Sequence, residues 1–282
     1  MQPSIATHRA ADGYELHYRH WQPREPVLGQ IVYLHGIQSH GGWYEGSCRR
    51  LCESGFEVFF LDRRGSGLNQ VDRGHARDSR QLIDDVVGFI HRLCARAEAA
   101  TWLGLIGVSW GGKLAAAVAA ESPCPVEALA LLYPGIGARV RPRWHQALAL
   151  RLAWKFGAGR RTVTIPLDDP KLFTANPPWQ RFIAEDPLSL RRASLSLLQA
   201  SLELDALMRG LPPRIAVPTL MLLAGDDRII DNAVNERFFQ NLATHDKQQI
   251  IYPGAQHTLE FEPDPEPFFR DLVDWFIRQA GG

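Results

Sequence analysis

From residue 30 to the C-terminus, short apolar runs alternate with longer amphipathic stretches, and this alternation admits few folds. Residues 30–34, 57–61, 102–108, 128–133, 219–224 and 248–252 are rich in aliphatic, β-branched or aromatic residues and are bounded by Gly, Pro, Asp or His. That is the pattern of strands buried on both faces. Helix-period segments lie between them at 43–54, 79–96, 111–120, 232–242 and 265–278. Residues 5–9 and 14–21 flank Asp12-Gly13, a hairpin signal. The predicted class is α/β: a mostly parallel central sheet with helices on both faces and an antiparallel N-terminal hairpin.

One stretch breaks the rhythm. Residues 136–214 carry several helix-like patterns and no convincing strand. A structureless loop of that length is uncommon, so an inserted helical cap is expected, with residues 1–135 and 215–282 forming the core. Its charge is uneven: no acidic residue lies between Glu127 and Asp168, whereas Arg139, Arg141, Arg143, Arg151, Lys155, Arg160 and Arg161 do. Trp144, Leu148, Leu152 and Phe156 recur every four residues as an apolar stripe. Two readings stand: a lid that makes transient contact with a membrane or lipid surface, or a helix packed on its own domain with solvated arginines.

Lys+Arg and Asp+Glu balance at 31 each, which argues against a nucleic-acid partner. The N-terminal residues lack a charged region followed by an apolar one, and no run of about 18 apolar residues occurs, so a cytoplasmic location is expected. Cys48, Cys52, Cys94 and Cys124 form no CxxC, and neither a metal nor another cofactor is expected. Cys48 and Cys52, four apart on a helix, read as small packing residues rather than a redox pair.

The chemistry concentrates at Gly107-Val108-Ser109-Trp110-Gly111, a G-x-S-x-G sequence between an apolar strand and an alanine-rich helix. A serine on so sharp a turn needs neighbours without Cβ atoms, and the helix that follows aims its N–H groups at the reacting centre. Gly107-x₄-Gly112-Lys113 overlaps it as a partial phosphate loop, but Leu114 stands where the magnesium-binding hydroxyl belongs. A serine nucleophile needs a base and an orienting acid, in the chain order Ser, acid, His for this class of sheet. His257, after the last strand run, is the expected base. Asp226, Asp227 and Asp231 follow the run before it, and spacing does not separate the first two. The loop His35-Gly36-Ile37 after the first parallel strand is placed to complete an oxyanion hole, with the N–H groups of Ile37 and Trp110 as donors. His35, Gly36, Trp144 and Leu148 are further candidates for substrate contact.

These features resemble the α/β-hydrolase superfamily, and within it the monoacylglycerol lipase and lysophospholipase branch catalogued with the serine aminopeptidases. The resemblance runs through Asp12-Gly13, His35-Gly36-Ile37 with His40 and Tyr44, Asp62-Arg63-Arg64-Gly65-Ser66-Gly67, the serine turn, Gly225 to Asp231 and Gly254 to Glu262. It implies that Asp227 is the triad acid, that residues 62–67 help hold the site, and that the insertion shapes an acyl pocket. The implied activity is cofactor-free hydrolysis of small acyl esters through an acyl-enzyme, on monoacylglycerols or lysophospholipids. Trp110 departs from the Met, His or Leu of many lipases in this branch. Ser-Trp-Gly-Gly is similar instead to the proline iminopeptidases, whose caps hold an ammonium group with carboxylates; Glu185, Asp186, Glu203 and Asp205 are the residues available for that alternative. A non-catalytic binding module on the same fold is the third reading.

Overall fold

The hairpin forms first along the chain, with β1 (Ser4–Arg9) antiparallel to β2 (Glu15–Trp21) around Gly13 at a positive φ. The apolar runs then give β3 (Gly29–Leu34), β4 (Phe56–Leu61), β5 (Leu103–Val108) and β6 (Ala128–Leu132), with α1 (Glu45–Glu53), α2 (Ser79–Arg96) and α3 (Trp110–Ala119) among them. This computed structural model describes residues 2–24, 27–96, 101–121, 123, 125–140 and 144–281.

After β6 comes the inserted segment: α4 (Trp144–Ala153), a short strand β7 (Thr162–Thr164), α5 (Pro177–Glu185), a second strand β8 (Arg192–Ser194) and α6 (Leu195–Leu207). The antiparallel β7–β8 pair corrects the expectation of a wholly helical insertion. At three residues each these strands are too short to display a period, which is why the sequence pattern passes over them. The chain returns to the sheet through β9 (Thr219–Ala224), α7 (Asn232–Gln240), β10 (Lys247–Tyr252) and α8 (Glu266–Ala280).

The sheet order is β1-β2-β4-β3-β5-β6-β9-β10, antiparallel as far as β4 and parallel from β4 onward. Side chains alternate across it: Val32, Leu34 and Leu105 pack with α2, α3, α6 and α7, while Ile31, Tyr33 and Ile106 pack with α1 and α8. Cys48 and Cys52 are buried on α1, and burial pushes both thiols above their ordinary pKa; Cys124 lies outside the described residues.

The stripe on α4 is not packed inward. Leu148 and Leu152 are 49% and 46% exposed, and Phe156 is 82% exposed. The helix runs into a π-turn at Trp154–Ala158, where Gly157 takes φ +84°. The packed-helix reading therefore does not describe these three side chains. Trp144 opens α4, its side chain and Arg141 and Arg143 lying outside what is described.

Candidate active site

Chain order makes the crevice. From β3 the chain moves outward to β4 and then crosses back to β5 on the other side of β3, so the β3–β5 boundary is a switch point where following loops diverge. At the carboxyl end of β5, Ser109 adopts φ 49° and ψ −121°, a strained conformation held by neighbours on every side. Its N–H donates to Leu132 O at 2.9 Å, and its carbonyl accepts from Gly112 N and Gly135 N. A Cβ on Gly107 would lie 2.6 Å from that of Ala115 on α3, so glycine is what lets β5 and α3 close on this turn.

The ends of β9 and β10 deliver the partners. His257 Nε2 lies 2.9 Å from Ser109 Oγ, and its Nδ1 lies 2.7 Å from Asp227 Oδ2. The other carboxylate oxygen, Oδ1, accepts from Ile229 N and Ile230 N at 2.8 Å each. Asp227 and His257 are 6% and 2% exposed, whereas Ser109 is half-buried and reachable. Asp226 faces solvent with its N–H on Ala255 O, and Asp231 caps α7 through Ala233 N. The structure thus brings Ser109, His257 and Asp227 into one hydrogen-bonded line and leaves Asp226 outside it.

The loop after β3 closes over the serine. A Cβ on Gly36 would sit 3.5 Å from Ser109 Cβ and 3.1 Å from Ser39 Oγ. Among the described residues no backbone hydrogen bond takes up the Ile37 N–H, and Trp110 is the first residue of α3, where N–H groups lack an intrahelical acceptor. His35 differs from its expected role. Its Nε2 accepts from Arg63 N at 2.8 Å and its Nδ1 donates to Gly36 O at 2.7 Å, so both ring nitrogens serve the backbone rather than a substrate. Burial and the nearby Arg63 cation lower its pKa to about 3, which keeps the ring neutral. Leu148 lies exposed on α4.

Two aromatic residues beside the site carry no sequence signal, while Asp62 and Asp186, both named from the sequence, take structural partners. Tyr133 and Phe173 stand edge-on to the His257 ring at 4.9 and 5.9 Å. Asp62, buried, accepts from Arg19, Gly41 N and Leu68 N and so ties the loop after β3 to the 62–68 turn. Asp186 Oδ2 accepts from Trp43 Nε1 at 2.6 Å and lies 3.0 Å from His40 Nε2; these bonds outweigh burial and hold its carboxyl well below the usual range. Of the other acids that an ammonium-binding cap would use, Glu203 accepts from Ser79 N and Asp205 from Lys113 Nζ, while Glu185 is exposed.

The sheet order, with a strained serine between a central parallel strand and the helix after it, defines an α/β-hydrolase. The family model described as "Serine aminopeptidase, S33" matches residues 25–264, and the chain belongs to that family. It is 23% identical to a monoacylglycerol lipase of Mycolicibacterium smegmatis over 269 residues, 94% of each chain. It is 27% identical to a phospholipase of Bacillus subtilis over 265 residues, 91% of this chain and 99% of that one. A crystal structure of Paleococcus ferrophilus monoacylglycerol lipase superposes with a TM-score of 0.85 at 25% identity, covering 94% of this chain and 99% of the other.

Proposed function

We propose that the chain hydrolyses carboxylic esters through an acyl-enzyme on Ser109. The observation that carries this reading is the unbroken line Asp227 Oδ2–His257–Ser109 Oγ, with spacings of 2.7 and 2.9 Å, beneath the Gly36 loop. Ser109 Oγ attacks the acyl carbon while His257 Nε2 takes its proton, and Asp227 holds the imidazole in the tautomer that leaves Nε2 free to accept. The Ile37 and Trp110 N–H groups receive the charge that develops on the carbonyl oxygen. The tetrahedral intermediate expels the alcohol, which leaves with the proton from Nε2. Water, deprotonated at the same nitrogen, then attacks the acyl-enzyme, and the C–Oγ bond breaks to free the acid and restore Ser109.

We read residues 136–214 as a cap over this site and long-chain monoacylglycerols or lysophospholipids as its substrates. The names of the matched relatives support that class, and so do the exposed Leu148, Leu152 and Phe156 among cations. Among the described residues no helix is long and apolar enough to cross a membrane, so lipid contact on this reading is peripheral. The peptidase alternative draws no support from Asp186, Glu203 and Asp205, which are spent on contacts with Trp43, Ser79 and Lys113.

The test is hydrolysis of p-nitrophenyl esters from acetate to palmitate by the native chain beside Ser109→Ala. Turnover that peaks at one chain length and disappears in the variant is expected. Retained turnover in Ser109→Ala overturns the mechanism, and preference for aminoacyl arylamides overturns the substrate class.

A further inference from the structure

Trp110 faces two ways. Its backbone N–H is one of the donors in the mechanism above, while its indole runs away from the serine toward the inserted segment. There Nε1 donates to Ser201 Oγ on α6 at 2.9 Å. One turn further along α3, Lys113 Nζ donates to the same hydroxyl at 3.2 Å and to Asp205 Oδ1 at 2.6 Å, one turn further along α6. The two helices are therefore joined by a short ladder whose first rung is the indole.

The opposite anchor is Arg63. Its guanidinium carbon lies 4.7 Å from the centroid of the Trp110 ring, within cation–π range. The same guanidinium donates to Ile37 O at 3.0 Å, Gly36 O at 3.3 Å and Ser66 Oγ at 2.7 Å. One buried cation thus touches both residues whose N–H groups form the oxyanion hole, through the carbonyl of Ile37 and the ring of Trp110. Desolvating a guanidinium is costly, and here the site places one between two backbone elements whose separation sets where a developing oxyanion sits.

We propose that Ser201 and Arg63 are positioning residues for the oxyanion hole, clamping Trp110 between the inserted helix α6 and the Gly36–Ile37 loop, so that α6 acts on the chemical step and not only on substrate entry. This rests on the reading of Ile37 and Trp110 as oxyanion donors. A ladder that merely packs two helices changes stability. A positioning ladder changes the rate at which Ser109 reacts, because misplacement of catalytic groups by a fraction of an ångström is felt in the transition state and hardly in the ground state.

The experiment compares Ser201→Ala and Ser201→Thr in the native and Trp110→Phe backgrounds. It reads kcat and KM on a p-nitrophenyl ester, the rate of Ser109 phosphonylation by a fluorophosphonate, and the active fraction by burst titration. Ser201→Ala is expected to lower kcat and the phosphonylation rate together by roughly tenfold, with KM and active fraction unchanged. Ser201→Thr, which keeps the hydroxyl, is expected to restore both. In the Trp110→Phe background, where the indole N–H is gone, Ser201→Ala is expected to cost nothing further. The same loss in both backgrounds, a loss confined to KM, or one that follows the active fraction overturns the proposal. Phosphonylation also separates the two readings. A native chain that phosphonylates without cleaving esters loses the ester assignment while the clamp is still read from the labelling rates. A native Ser109 that does not phosphonylate overturns both.

Discussion

Asp226 and Asp227 carry the same group in opposite surroundings, and the difference decides what each can do. The Asp227 carboxylate is buried with its two oxygens assigned: Oδ1 to the Ile229 and Ile230 N–H groups, Oδ2 to the imidazole. An amide there must keep its oxygen toward those two backbone donors, so its NH₂ turns toward His257 Nδ1. The ring then has to accept at Nδ1 and carry its proton on Nε2, where it can no longer take one from Ser109. Asp227→Asn should lower kcat by roughly 10⁴-fold with the fold intact, as tautomer-locking substitutions do in other triads. Asp226→Asn, at an exposed side chain, should leave kcat near native. Steady-state turnover of one ester by both variants checks this, and a larger loss at Asp226 would move the acid. Spacing alone leaves these adjacent residues equivalent, because both lie at the end of β9. The hydrogen bonds that distinguish them belong to a turn whose direction no periodicity encodes.

At the scale of elements, β5 and β9 were legible because each is a buried apolar run ending in a turn residue. The edge strand β10 is half polar and carries no fully buried residue, and only its Ile250-Ile251-Tyr252 end marks it. Ser109, Asp227 and His257 could be placed at strand ends on those signals. The inserted segment was less legible: β7 and β8 are too short for a pattern, and Gly157 breaks the four-residue stripe just after Phe156. Contacts between distant elements were not legible at all. Nothing local ties Ser201 to Trp110, or Glu260 to Ser47. Glu260 sits in the 3₁₀ turn Leu259–Phe261, which begins two residues beyond His257, and its buried carboxyl reaches Ser47 N at 3.0 Å and Ser47 Oγ on α1. Burial, only partly offset by the Ser47 and Gly46 hydrogen bonds, raises its pKa to about 7. The raised pKa means the fold favours the protonated acid. The stabilisation is complete below the ordinary glutamate pKa and is lost as pH rises through about 7, a change on the order of 3 kcal/mol. Glu260→Gln keeps the neutral shape at every pH. Its melting temperature should fall less than that of the native chain between about pH 5 and pH 8, and parallel curves would remove Glu260 as the source.

Across the whole molecule the charges cancel, yet their placement does not. The segment carrying the exposed Leu148, Leu152, Trp154 and Phe156 also carries Arg151 and Lys155, and the chain from 128 to 167 has no acid. Exposed apolar side chains clustered among cations suit a surface that is both oily and anionic, and they are poorly suited to water. On the proposed function, such contact would bring the cap to its substrate's source while leaving the serine site unchanged. Chemistry and surface contact should therefore separate experimentally. The double variant Leu152→Ser with Phe156→Ser removes two apolar side chains, each worth roughly 1.5–3 kcal/mol when fully buried. Because a lipid interface buries them only in part, the expected loss of affinity for anionic vesicles is about 10²-fold, measured by co-sedimentation. Turnover of a long-chain monoacylglycerol presented in those vesicles should fall in step. Turnover of p-nitrophenyl butyrate in solution should not, since both side chains are solvent-exposed and neither belongs to the packed core. Raising the salt should weaken native binding by screening the cations and leave the apolar part in place. Equal vesicle binding by the native and double-variant chains would refute the membrane contact and leave the esterase reading to stand on the soluble substrate.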